Sequence, residues 1–182
     1  IDHLGGKFCL YLVSPSPDRV ILSTLGFNLI DINLDTKQER TLTLPWPGAA
    51  GVLALIPERE ILVLVDMLFH NLVLIDLDRF EILATHALDF GPRTVAWASG
   101  PELLFVGSYI DGDVHTYRLD DGSPSLREVG TPIQVGGTLR HLRLDEAPNY
   151  LYAASKCGLI GIDVARAFDA ALHDTQGAFD PT

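Results

Sequence analysis

The chain has 182 residues, of which 47% are hydrophobic and 20% charged, enough for a substantial folded domain and too apolar for a disordered one. Its formal net charge of −11, with Lys and Arg scattered along the chain, argues against nucleic-acid and anionic-lipid partners. No run approaches the roughly 18 uncharged apolar residues that a spanning helix needs, so no membrane span is expected.

In chain order, the first features are the start at Ile1 and an isolated Cys9, with Cys157 far away. The start and the lack of a signal peptide predict a processed product, a fragment or part of something longer. A disulfide is unforced, and the two cysteines are expected to be free, buried thiols.

From residue 10 the chain repeats itself. LYLVSPSPDRVILSTLG (10–26), LALIPEREILVLVD (53–66), VAWASGPELLFVGS (95–108) and LRLDEAPNYLYAAS (142–155) each give a strand, a polar turn and a second apolar strand. Ile21, Leu62, Leu104 and Leu151 recur at steps of 41, 42 and 47 residues. A third strand follows each pair, and Asp31, Asp76, Arg118 and Asp163 recur at steps of 45, 42 and 45. Runs such as 61–65 and 72–75 are apolar at successive positions, which predicts strands covered on both faces. Ile61, Val63, Leu72, Leu74, Val106 and Leu151 are therefore expected to be nearly fully buried.

Fourth strands are expected at 40–44, 81–88 and 126–135, with Pro45, Pro47, Gly91, Pro92, Gly136 and Gly137 punctuating the passage to the next unit. After Asp163 the alanine-rich 164–172 favours helix, and 173–182 is loose in composition. The fold class predicted is all-β: a β-propeller of four-stranded antiparallel blades at about 8–45, 50–89, 93–135 and an incomplete 138–164, with a helical or irregular tail at 165–182. No clasp joining the first blade to the last is visible. The four blades are thus expected to belong to a larger ring of about seven, completed by further sequence or by another chain.

ILVLVDMLFHNLVLIDLDRFEILATHALDFGPRTVAWAS (61–99) resembles the YVTN-type repeat, with its V-x-V-I-D-like strand and Gly-Pro lead-in to the next blade. LFVGSYIDGDVHTYRLDDGSPSLREVG (104–130) and GGTLRHLRLDEAPNYLYAAS (136–155) resemble repeats of the seven-bladed lactonase family. The chain departs from that pattern where Thr138 and Leu139 replace the usual Pro before Arg140 and His141. The Gly-His and Trp-Asp signatures of WD40 repeats are missing. The resemblance implies that loops entering the innermost strands share one rim with the turns between second and third strands. That would gather Arg93, Arg140, Asp66, His70, Asn71, Tyr109, Asp111, Asp113 and Lys156 at a binding rim. The alternative is that these are ordinary turn residues, Asp and Asn being favoured there for their local backbone hydrogen bonds.

Arg140 and His141 are the candidate catalytic pair. Arg140 could hold a carboxylate or phosphate and His141 could act as acid or base, while strand alternation would turn one to the rim and the other into the blade interface. An Arg and His hydrogen-bonded between blades is the plainer expectation. Six histidines and the Asp111–Asp113 and Asp120–Asp121 carboxylates lack metal-ligand spacing, so no metal and no cofactor are expected. Neither a phosphate-binding loop nor a G-x-S-x-G elbow is present in the sequence. The function expected is a protein-interaction or scaffolding module whose partner is a protein or the remaining blades. A lactonase-like hydrolase or small-ligand-binding propeller is the alternative, and a secreted or periplasmic setting follows only from the resemblance.

Overall fold

The computed structural model describes residues 9–25, 28–46, 51–145 and 149–166. Pro47, His3, His173 and the tail from 167 onward lie outside them. The chain forms two compact units, Ile1–Asp89 and Phe90–Thr182.

Unit one holds two four-stranded antiparallel meanders. The first is β1 (Cys9–Ser16), β2 (Arg19–Thr24), β3 (Asn28–Asn33) and β4 (Glu39–Thr43). The second is β5 (Leu53–Ile56), β6 (Ile61–Asp66), β7 (Asn71–Asp76) and β8 (Glu81–Ala87). The continuous apolar run of β6 is buried at every position, whereas β8 alternates exposed and half-buried residues. Central strands covered on both faces and a half-exposed outer strand follow directly from those two sequence patterns. Ile21, Leu29, Leu62, Leu64, Val73 and Ile75 close the core of this unit.

Unit two holds β9 (Pro92–Ala98), β10 (Leu103–Ser108), β11 (Asp113–Leu119), β12 (Leu126–Glu128) and β13 (Ile133–Gln134) in one sheet, and β14 (Leu139–Asp145), β15 (Tyr150–Ser155) and β16 (Gly158–Asp163) in another. Leu103, Phe105, Val114, Leu139, Leu151 and Ala153 fill its core. The hydroxyl of Thr94 on β9 accepts a buried hydrogen bond of 3.0 Å from the backbone N–H of Leu142 on β14. The last sheet has three strands among the described residues, and helix begins at 164–166.

All six residues expected in the interior are buried, Ile61 at 7% exposure and the other five at 0%. Other expectations are corrected. The fourth strand of the third sheet is split, because Gly130 adopts a positive φ and Pro132 has no N–H to donate; its two pieces both pair with β11. Cys9 and Cys157 are free but exposed, not buried.

The repeat alignment also slips in the first sheet. Strands β2 and β6 have six residues each, as do β3 and β7. Asn33 closes its turn by accepting from the N–H groups of Asp35 and Thr36, as Asp76 does from Asp78 and Arg79. Asn33, not Asp31, is therefore the equivalent of Asp76, and Ile21 matches Val63 rather than Leu62. Asp31 occupies the place that Leu74 fills in the second sheet, a core position.

A carboxylate there requires compensation. Arg19 donates to both oxygens of Asp31 at 2.8 and 2.9 Å, and Arg40, its cross-strand partner, donates at 2.6 and 3.0 Å. Both arginines also donate to the carbonyl of Leu77, and Arg40 to that of Asp78, tying the first sheet to the β7–β8 turn. Burial pushes the Asp31 carboxyl up, but the hydrogen bonds from Arg19 and Arg40 more than offset it and hold the group below its ordinary value.

Candidate rim of binding turns

In each antiparallel meander, the start of the first strand and the turn between the second and third lie at the same end of the sheet. The rim residues of each unit follow from that geometry.

In unit one, Asp66 is 1% exposed and is used up in its own turn. Its Oδ1 accepts from the N–H groups of Leu68 at 3.0 Å and Phe69 at 3.3 Å, and Asn71 reaches Oδ2 at 3.5 Å. His70 has a positive φ of 54°, and its carbonyl accepts from the N–H of Leu88 at 2.7 Å. Asp66, His70 and Asn71 thus come together as a rigid turn, and its tip presents Leu68 and Phe69, 63% and 49% exposed.

In unit two the equivalent turn, 109–112, is fixed differently. Asp111 accepts from the Ser108 hydroxyl at 3.0 Å, while the Asp111 N–H donates back to the same hydroxyl at 3.2 Å. Gly112 has φ +74°, and a Cβ there would lie 1.9 Å from the carbonyl oxygen of Gly137. Only glycine allows this approach. The tip again carries large apolar side chains, Tyr109 at 41% exposure and Ile110 at 68%.

Two arginines converge on that tip. The guanidinium carbon of Arg93 lies 5.5 Å from the ring centroid of Tyr109, and that of Arg140 lies 5.6 Å from it. Their placement has a common backbone cause. The β9–β10 register skips between Gly107 and Ser108, whose partners are Thr94 and Pro92, so that Arg93 falls outside the register. The β14–β15 register skips between Leu139 and His141, which leaves Arg140 unpaired. Each arginine is thus the extra residue of a β-bulge, which bends the strand and re-aims the side chain. The second bulge also breaks the expected alternation: Arg140 and His141 are both exposed, and neither enters the interface between sheets.

The remaining rim candidates are separate. Asp113 opens β11 opposite Gln134. Lys156 donates its backbone N–H to Thr138, and its side chain is exposed. Among the described residues His141 makes no hydrogen bond that would set it up as an acid or base, and no group of three His, Cys, Asp or Glu could hold a metal ion. No described helix is long and apolar enough to cross a membrane.

Sequence reasoning did not single out Leu68, Phe69 or Ile110. The signal was present: two adjacent large apolar residues inside a turn bounded by Asp, His or Gly. The pairing of His115 Nδ1 with Glu128 Oε1 at 2.7 Å, with the His115 ring stacked 3.8 Å from Phe90, was also missed, since the partners lie on different strands.

No family model matches the chain, and no curated protein matches it. Among solved structures 1184 chains match, so the likeness identifies an architecture and not an activity. One is a chain in the crystal structure of the mitotic checkpoint complex, with a TM-score of 0.71, 12% identity, and coverage of 82% of this chain and 48% of that one. The fold is a β-propeller. The chain spans about half the length of the chain it matches, and identity this low carries over the fold alone.

Proposed function

We propose that this propeller is a protein-interaction module in which each unit carries a rim turn that presents apolar side chains for docking. The observation that carries the reading is the build of the two turns. Asp66 in one unit and Ser108 with Asp111 in the other spend their polar groups on holding the backbone, while Leu68, Phe69, Tyr109 and Ile110 project outward. Rigid turns with exposed adjacent apolar tips suit docking, because little loop ordering is lost on binding. The matched chain, too, comes from the structure of a complex, the mitotic checkpoint complex, which adds support. Affinity capture from source cells tests the proposal. The native chain should retain a stoichiometric partner that Leu68→Asp/Phe69→Asp and Ile110→Asp variants of unchanged melting temperature lose. Equal retention by those variants, or no partner at all, would refute it.

The repeats at 61–99, 104–130 and 136–155 support membership of the YVTN and lactonase-like superfamily, and the spacing of its four repeats, like that of the seven-bladed family it resembles, supports a larger ring of about seven blades. The intact mass of the natural polypeptide tests the latter. A lactonase-like or small-ligand activity draws support from the joint exposure of Arg140 and His141 on one bulge. An unchanged rate for an Arg140→Ala/His141→Ala variant across a panel of lactones would exclude that site.

A further inference from the structure

We propose that the cavity between the two sheets of unit one receives a single basic side chain, Lys or Arg, of a partner protein, its aliphatic stem inside and its charged head at the Glu60 and Asp78 carboxylates. The cavity lies at the end of the sheets opposite the Leu68–Phe69 turn. It uses no residue of the rim reading above and goes beyond it.

The first support is size and build. The cavity measures about 240 Å³ and opens among the β1–β2 turn, the β5–β6 connection and the β7–β8 turn. Sites for drug-sized ligands run to about 300–1,000 Å³, so this one suits one side chain better than a free metabolite. Pro15, Leu55, Pro57 and Leu77 supply its apolar wall. The backbone around it is tied down in advance. The N–H of Glu60 donates to the Pro57 carbonyl at 3.2 Å, the Leu77 N–H donates to the Glu60 carbonyl at 2.9 Å, and Arg40 donates to the Asp78 carbonyl at 2.6 Å. A wall held this way needs little ordering when a side chain enters.

The second support is charge. Three charged residues line the cavity, Arg19, Glu60 and Asp78. The Arg19 guanidinium is already answered, since its Nε and Nη2 donate to the two oxygens of Asp31. Asp78 acts on Arg19 through space, without a hydrogen bond. The carboxylates of Glu60 and Asp78, both exposed residues, accept no hydrogen bond among the described residues. The lining therefore sets two carboxylates that lack a protein donor against one cation that has its partner. The net charge of −11 adds a field that draws cations toward the surface.

The two supports together select the occupant. An acidic side chain would meet repulsion, and a purely apolar one would strip water from the carboxylates without replacing its hydrogen bonds. Lys and Arg carry an aliphatic stem beneath a charged head, which matches an apolar wall beside exposed carboxylates.

The test is selection of random heptapeptides displayed on phage against the intact chain, with the Glu60→Gln/Asp78→Asn variant as counter-target. Both substitutions stand at exposed positions and keep the side-chain shape, so the melting temperature should not change. Peptides kept by the parent and lost by the variant should share one Lys or Arg and bind more weakly as salt is added. Replacing that residue in the peptide by norleucine, or by citrulline for Arg, reads the same contact from the ligand side and should weaken binding about tenfold. The Leu68→Asp/Phe69→Asp chain should bind these peptides as the parent does. Absence of any peptide that the variant loses, or less than about twofold change on removing the peptide's charge, would overturn the proposal. So would displacement by free n-butylamine at the peptide's own concentration, which would make the cavity a site for small amines. Loss of binding in the Leu68→Asp/Phe69→Asp chain would also overturn it, by assigning the peptides to the rim turn and leaving the interaction-module reading intact.

Discussion

Replacing Asp31 by Ala removes the centre of the Arg19–Asp31–Arg40 triad in unit one. The Asp31 side chain is 5% exposed, while Arg19 is 23% and Arg40 45% exposed. Breaking a fully buried ion pair from one side costs about 3–5 kcal/mol. Here the arginines can turn toward water, and the Arg40 contact approaches a surface pair worth about 0.2–1 kcal/mol. The expected loss is therefore about 2–3 kcal/mol at neutral pH. The molecule contains its own apolar control, because Ile61, Leu74 and Ala84 stand in the second sheet where Arg19, Asp31 and Arg40 stand in the first. The triple variant Arg19→Ile/Asp31→Leu/Arg40→Ala should lie within about 1 kcal/mol of the parent, since replacing a whole buried triad is often neutral or better. Urea unfolding in a Trp97→Phe background, where Trp46 against the core of unit one is the remaining indole, reads the unit concerned. Because the folded-state pKa of Asp31 lies below its unfolded value, its stabilisation is complete above about pH 4 and is lost as pH falls through the lowered value. The gap between parent and Asp31→Ala should thus narrow in acid. A loss below about 1 kcal/mol at pH 7, or a gap that widens in acid, would refute the reasoning.

Leu74→Ala should cost about 2–5 kcal/mol by opening a cavity at a fully buried position, read in the same urea assay. Thr94→Val keeps the shape but strands the buried N–H of Leu142, and should lower the stability of unit two by about 1–3 kcal/mol as followed by Trp97 fluorescence. Gly112→Ala combines a positive φ with a clash against the Gly137 carbonyl, so the melting temperature should fall, as read by thermal unfolding followed by circular dichroism.

The architecture was legible because continuous apolar runs and turn punctuation repeat with nearly constant spacing. The same continuity hid the phase. A strand buried on both faces, such as β6, carries no alternation, so Ile21 could be laid against Leu62 when its partner in the fold is Val63. Asp31 then resembled a turn aspartate like Asp76, although it lies two residues inside the strand end and is neutralised by arginines at positions the slipped alignment misplaced. At the rim, the sequence located Arg93, Tyr109 and Arg140 but not their convergence. Two bulges produce it, and a bulge inserts its residue without leaving a mark in the pattern of apolar and polar positions.

The two bulges also take one residue at each strand start out of the ladder register. The register passes over Arg93 and Arg140, and the residues on either side of each are the ones that pair across the ladder. At the exposed position 140, substitution changes what the rim displays without passing the change on to the strand pairing on either side. Position 140 is accordingly a natural site for randomisation: a library varied there, beside a fixed Tyr109, would sample different ligand chemistries on one unaltered scaffold.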